Sequence, residues 1–340
     1  MIYSPHTFEI SLSPNTKEFN SLLSEAYEKG KKKHRVFKDK KSGTIHIDEA
    51  LSEDGITIEY HNDIYKKQIK LIVNPSRVLA GDDLELWKPN KDNISKLLKN
   101  LETHIDDYFD SEYELCDFAL TRIDFTVNIQ VGSKEQVSAY IEILHRIGKV
   151  KGFSQKYDTR DNGWYDKELS FDLEGNSNGV EFTAYDKQGA LAEKNKDEQR
   201  TKAAKGILRI EVRLTKKKAI KKYTKKSNTA AQIKDLSKRS KDIFLETFVK
   251  VVPHGCFLKK KPAQELIEKS IPNKKQREKM LQLLEFVPKK KSLLLAQKEM
   301  NSRNIDKIMD MFAKIELSPI TISKRSNVKQ LKNLYDYLLK

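Results

Sequence analysis

Two cysteines in 340 residues, Cys116 and Cys256, are too few for a disulfide framework and form no CxxC knuckle. No apolar run approaches the roughly 18 residues that a membrane span requires. The first twenty residues, MIYSPHTFEISLSPNTKEFN, lack the basic-then-apolar order of a secretory leader, so the expected compartment is the cytoplasm. With 13 glycines and 9 prolines the chain is neither fibrous nor low-complexity, and its 38% apolar content suits a water-soluble globular protein with no membrane partner.

What is abundant is positive charge, and it is unevenly placed. The net charge is +16, yet the first 215 residues carry 33 Lys and Arg against 37 Asp and Glu. From Lys216 to Lys340 the counts are 32 and 12. Such segregation predicts a polyanion-binding region following a body with another task. The plain alternative is a lysine-rich solvated helical surface. At this length about two domains are expected. The composition shift puts the cut at 216–230, giving an α+β domain over 1–215 and a basic, mainly helical domain over 216–340.

Within 1–215 the apolar residues alternate. GTIHID (43–48), GITIEY (55–60) and QIKLIVN (68–74) read as strands bounded by turn residues. A helical stretch covers Lys17 to Lys29, beside the basic cluster KKKHRVFKDKK. Ile94, Leu97, Leu98, Leu101, Ile105 and Tyr108 recur at helical spacing. The order then repeats with other residues. FALTRIDFTVNIQV (118–131) is a long alternating strand, and Ser133 with Gln136 forms a capping box that opens the next helix. Strands follow at 169–175, 180–186 and 207–214, with a charged segment, AEKNKDEQRTKAAK, between the last two. The expected architecture is therefore α+β: an antiparallel-sheet domain of two related halves, 43–109 and 118–215. Beyond 216 the chain reads as helices punctuated by prolines. One stripe runs from Ile305 to Ile315 and another from Val328 to Leu338. NKKQREKMLQLLEFVPKKKSLLLAQ (273–297) reads as two amphipathic segments broken at Pro288, and no helix-turn-helix signature names a recognition helix.

Four strands of the second half have an ionisable polar side. Side chains alternate along a strand, so Arg122, Asp124, Thr126 and Asn128 share one face. So do Ser170, Asp172 and Glu174; Glu181, Thr183, Tyr185 and Lys187; and Arg209, Glu211 and Arg213. A wet, ion-paired face explains any one of them. Together they are the parts of phosphodiester chemistry. Grouped carboxylates attract a divalent cation, a hydroxyl attacks in line, and cationic side chains stabilise the charge on phosphate oxygens. A tyrosine beside such a cation is a candidate nucleophile, and a nearby lysine is expected to lower its pKa.

The order of RIDFTV, a helix, FTAYDK, a charged insert and LRIEVRL resembles the rolling-circle replication initiators, over roughly residues 115–220. It is similar to the replication-initiation-factor group of plasmids, phages and conjugative relaxases, with the phage gene-II-like replication proteins as neighbours. The resemblance implies a DNA-nicking and strand-transferring endonuclease. Tyr185 is its nucleophile, with Lys187 two residues on, and Asp124 and Glu211 hold Mg²⁺ or Mn²⁺. Glu181 and Asp172 are candidates for a third ligand because they share the polar face. Arg122, Arg209 and Arg213 are expected on DNA phosphate. The same holds for Lys216, Lys217, Lys218, Lys221, Lys222, Lys225 and Lys226 at the rim of the site. Partners on this view are origin DNA, a host helicase and polymerase, and a second copy of the chain. Many rolling-circle initiators bind metal through a His-x-His pair. The seven histidines here (6, 34, 46, 61, 104, 145 and 254) do not form one, so each is expected to be structural or superficial. A carboxylate site favours Mg²⁺ or Mn²⁺ over zinc. Tyr165, in a second YDK, and Tyr223 are competing nucleophiles. A non-catalytic DNA-binding initiator or regulator, and a relaxase with the same chemistry, are the competing functions.

Overall fold

Alternating apolar residues need a sheet with one dry face, and the chain supplies ten such strands among the described residues. The computed structural model describes residues 1–32, 36–38, 45–47, 55–62, 67–79, 81–82, 84–155, 169–193, 198–301 and 304–339. The first half consists of β1 (Ser4–Leu12), α1 (Thr16–Lys32), β2 (Val36–Lys38), β3 (Ile45–Ile47), β4 (Ile56–Asn62), β5 (Lys67–Val73), the short α2 (Pro75–Val78) and α3 (Lys91–Tyr108). The second consists of β6 (Ala119–Gln130), α4 (Lys134–Ile147), β7 (Phe153–Gln155), β8 (Ser170–Gly175), β9 (Val180–Asp186), α5 (Lys187–Glu193), α6 (Glu198–Ala203) and β10 (Ile207–Leu214).

The strands form one antiparallel sheet in the order β2-β3-β4-β5-β1-β6-β10-β9-β8-β7. Each half is a strand, a helix and a four-strand meander whose last strand returns beside the first. The two first strands, β1 and β6, pair at the centre. The two halves therefore share one topology, and their registers line up residue for residue. With Phe8 set equivalent to Ile123, Val73 stands for Leu214, Leu71 for Val212 and Ile58 for Phe182. The first half begins at Ser4 rather than 43. Strand β1 escaped the pattern because Pro5 and a bulge between Pro5 and Thr7 interrupt its alternation.

Helix α4 opens on the expected capping box. Ser133 Oγ accepts from the Gln136 amide at 3.3 Å, and Gln136 Oε1 accepts from the Ser133 amide at 3.1 Å. The helix lays Val137, Tyr140, Ile141 and Leu144, all buried, on the apolar face of the sheet. After β10 the chain leaves the sheet for α7 (Lys217–Tyr223), α8 (Thr229–Lys238) and α9 (Ser240–Val251). These cover the same apolar face. Phe248 of α9 packs on Phe182 of β9 with ring centroids 6.4 Å apart, and Phe244 meets Tyr3 edge-on at 5.4 Å. Beyond them come β11 (Phe257–Leu258), α10 (Lys260–Ser270), α11 (Lys274–Lys290), α12 (Leu293–Glu299), α13 (Ile305–Lys314), β12 (Gln330–Leu331) and α14 (Leu334–Leu338).

Two helical expectations shift. Helix α11 runs through Pro288, which sits in its last turn, where the missing amide costs a single bond. The break comes at Lys291, which is left-handed, and Ser292, which caps α12. The stripe from Val328 to Leu338 is helical only from Leu334. Residues 330–331 pair with β11 instead, and the Asn333 side chain caps α14.

Phe125 lies at the middle of β6 with no exposed surface. Phe125→Ala is expected to lower stability by about 3–5 kcal/mol in urea denaturation, and a loss under about 1 kcal/mol would contradict this packing.

Candidate active site on the polar face of the sheet

Pairing of β6, β10, β9 and β8 turns the sequence pattern into a grid. One row across these strands reads Asp124, Arg213, Glu181, Glu174. The next reads Thr126, Glu211, Thr183, Asp172, and the third Asn128, Arg209, Tyr185, Ser170. All twelve lie on the face opposite the core, as expected from alternation.

Asp124 and Glu211 are buried although both are carboxylates. Such charges stay ionised only when cations and donors surround them. Arg122 grips Asp124 with two bonds, Nε to Oδ1 at 2.8 Å and Nη2 to Oδ2 at 2.5 Å, and reaches Glu9 of β1 at 2.8 Å. Arg213 donates to Glu211 Oε2 at 2.7 Å and lies 3.6 Å from Asp124 and 3.9 Å from Glu181. Tyr185 Oη donates to Glu211 Oε1 at 2.8 Å. Three of the four expected carboxylates thus gather around Arg213. Asp172 does not join them: two strands away from Arg213, it accepts from Ser170 at 3.1 Å.

Burial alone would raise the Glu211 carboxyl, but Arg213, His6 and Arg209 outweigh it and hold the group well below the ordinary range. Burial and the neighbouring Glu211 charge push Asp124 the other way, against the pull of Arg122 and Arg213. Tyr185 departs from expectation. Burial, then the Glu211 charge, raises the phenol, and Arg209 and Arg213 only partly offset this. Lys187 is not among the main groups acting on it. That side chain is buried at the start of α5, and its charge is felt by His6.

His6 is the site residue that sequence reasoning missed. It is the extra residue of the β1 bulge, which turns its ring toward Arg209. Arg209 is fully buried and donates Nε to Asn128 Oδ1 at 2.8 Å, and its Nη1 lies 3.0 Å from His6 Nε2. A guanidinium only donates, so Nε2 accepts and the proton sits on Nδ1. That Nδ1 is buried and makes no hydrogen bond, and the same is true of the Thr126 hydroxyl opposite Glu211. The signal available was the Pro5-His6 interruption in an otherwise alternating strand. The Asn128 amide in turn donates to the Leu84 carbonyl at 2.8 Å, so the loop before α3 closes this end of the face.

The lysines sit elsewhere. Lys216, Lys217, Lys218, Lys221, Lys222, Lys225 and Lys226 are exposed beyond the Leu214 end of β10, whereas Tyr185 pairs with Arg209 near its other end. Lys222 is tied to Glu246 and Tyr223. Tyr223 packs on the apolar side of the sheet, away from the carboxylates. Tyr165 lies outside the described residues. Among the described residues no three His, Cys, Asp or Glu side chains are grouped to hold a metal ion. With each Asp124 and Glu211 oxygen engaged by arginine or tyrosine, the arrangement does not fit a divalent cation.

The family described as the N-terminal region of the phage gene II replication-associated protein matches residues 37–235. No curated protein matches the sequence. A solved structure of a rolling circle replication initiator protein from Geobacillus stearothermophilus is similar at 12% identity over 74% of this chain and 85% of that one. Its TM-score is 0.35, too low to support any residue-level comparison. No helix among the described residues is long and apolar enough to cross a membrane.

Burial first, then the Arg209 charge, pushes the His6 ring down to about 3 from its ordinary 6.5. Its NMR shifts in histidine-labelled protein are therefore expected to stay flat from pH 8 to 5. A midpoint near 6.5 would contradict the Arg209 contact. Because the folded ring binds its proton less tightly than the unfolded one, neutral His6 adds stability above pH 6.5 that is lost as the pH falls toward 3.

Proposed function

We propose that this chain, which belongs to the family of phage gene II replication-associated proteins, starts rolling-circle replication by cutting one strand of origin DNA with the Tyr185 phenol. The family match supports the gene-II-like branch of the resemblance drawn from the motifs. The chemical part rests on one observation: Tyr185 Oη donates to Glu211 Oε1 at 2.8 Å on a face that also carries Arg122, Arg209 and Arg213.

In this mechanism Tyr185 Oη attacks the scissile phosphorus in line. The Oη–P bond forms as the bond from phosphorus to the 3′ oxygen breaks. Glu211 accepts the phenolic proton, and the departing 3′ oxygen takes up a proton to become a free hydroxyl. The protein stays joined to the 5′ phosphate, and the 3′ hydroxyl primes synthesis by a host polymerase. Because the phenol is raised, it is not an anion at rest. Its proton must leave during the attack, as in general-base catalysis. A strongly ionised Glu211 is a weak base, so the arginines have a second task. They stabilise the charge that builds on the non-bridging oxygens. The exposed lysines past β10 supply phosphate affinity that is independent of base sequence. The Asp124–Glu211 cluster does not fit the expected Mg²⁺ or Mn²⁺, and no step above is routed through a metal.

On supercoiled plasmid bearing the origin, Tyr185→Phe is expected to abolish nicking and the covalent protein–DNA adduct on denaturing gels. Glu211→Gln is expected to slow nicking by about 10²–10⁴-fold. Equal nicking by wild type and Tyr185→Phe would remove Tyr185 as the nucleophile and move the assignment to Tyr165.

A further inference from the structure

We propose that a lysine-rimmed apolar groove on the helical side of the sheet docks a protein partner, through a short segment that sets apolar side chains beside carboxylates. The groove encloses about 280 Å³ between the end of α4, the end of α9, the start of α12 and Met309 of α13. Helices α4 and α9 cover the apolar face, so the groove lies across the sheet from Tyr185. The inference does not rest on the nicking reading.

The walls are apolar and their backbone is fixed. Ile147, Val251, Val252 and Leu293 are buried, while Val249 is 55% exposed. One exposed valine is ordinary on a protein surface. This one lines a groove whose three sides are tied together. The Lys149 amide donates to Ser292 Oγ at 3.1 Å, and the Tyr335 hydroxyl donates to the Val252 carbonyl at 2.7 Å. Gly148, with a positive φ of 65°, packs so tightly on the turn before α12 that a Cβ would stand 2.4 Å from the Lys291 carbonyl oxygen. The groove is therefore formed before anything binds, and little ordering entropy opposes an occupant.

The rim selects the occupant. The charged side chains lining the groove are Lys149, Lys151 and Lys250, with no carboxylate among the described lining residues. Lys250 meets Glu246 at 3.0 Å, whereas among the described residues no ion pair holds Lys149 or Lys151, and both are exposed. Cations around an apolar floor complement a segment whose apolar side chains are flanked by acids. A nucleic-acid backbone would satisfy the lysines with phosphate but leave the apolar floor uncovered. A second copy of the chain would need a broad face, roughly 800 Å² on each partner, rather than a narrow groove. Small-molecule pockets run from roughly 300 to 1,000 Å³, so this one is suited to a few side chains of a peptide.

The test is a methyl NMR titration of the whole chain, labelled at valine, with a short synthetic peptide alternating leucine and aspartate. The Val249 and Val252 signals are expected to shift and saturate. The same peptide with lysine in place of aspartate is expected to bind about tenfold more weakly. In protein carrying Lys149→Glu and Lys151→Glu that preference is expected to reverse. Val249→Asp is expected to abolish the shift at Val252. All three positions are exposed, so these variants leave the core intact. Equal binding of the two peptides, or binding of neither, overturns the proposal. A shift at Val249 caused by a single-stranded oligonucleotide also overturns it, making the groove a nucleic-acid contact. A shift on diluting the protein alone overturns it as well, making the groove a contact between copies.

Discussion

A carboxylate as buried as Glu211 stays charged only while its surroundings replace the water it has lost, and the polar face is organised around that need. Moving such an ion out of water costs several kcal/mol before compensation. Arg213 and Arg209 supply opposite charge, and Tyr185 donates a hydrogen bond. Each helper is itself held. Arg209 is fixed by Asn128 and His6, Asn128 by the Leu84 carbonyl, and Arg122 by Glu9 as it grips Asp124. The network therefore crosses four adjacent strands, β1, β6, β10 and β9, and ties their register to the state of one charge.

The two halves share a topology but not a chemistry. Carrying the equivalence of Phe8 and Ile123 across the sheet puts Glu9 at the position of Asp124, Lys70 at that of Glu211 and Ile72 at that of Arg213. Gln68 then stands for Arg209 and His61 for Tyr185. The carboxylate needed beside a tyrosine is a lysine in the first half, and the arginine that steadies it is an isoleucine. Among these equivalent residues the Tyr185–Glu211 pair has no counterpart in the first half. The first half contributes by reaching across the central pair, lending Glu9 to Arg122 and His6 to Arg209. A doubled fold thus supports a single site built at the seam.

How much of this was legible depends on what each residue's signal was. Alternation alone put Asp124, Glu211, Tyr185, Glu181, Arg209 and Arg213 on one face, because a strand has only two faces to choose from. It could not show that β10 lies between β6 and β9, and that order is what gathers the carboxylates around Arg213. His6 was hidden because a bulge breaks the period on which the pattern depends, and a lone histidine has no spacing to betray it. The sign of the Tyr185 shift was hidden for another reason. A count of nearby cations suggests a lowered phenol, but burial and one carboxylate in direct contact outweigh arginines that are already paired. Lys187 looked like part of the same face by parity. Helix α5 begins there, and its charge acts on His6 instead.

The grid also gives the proposed substrate a direction. Its Asn128–Arg209–Tyr185 end is closed by the loop at Leu84, while its Asp124–Arg213 end runs toward Leu214 and the exposed lysines that follow. A strand of nucleic acid entering over those lysines meets Arg213 and Arg122 before it meets Tyr185. On the proposed reading the exposed lysines come first, Arg213 and Arg122 second, and the Tyr185 phenol last. On the proposed mechanism, the charge on Glu211 is disturbed only after the strand is already held. In the structure Arg213 rests on its carboxylates, and the raised Tyr185 phenol keeps its proton.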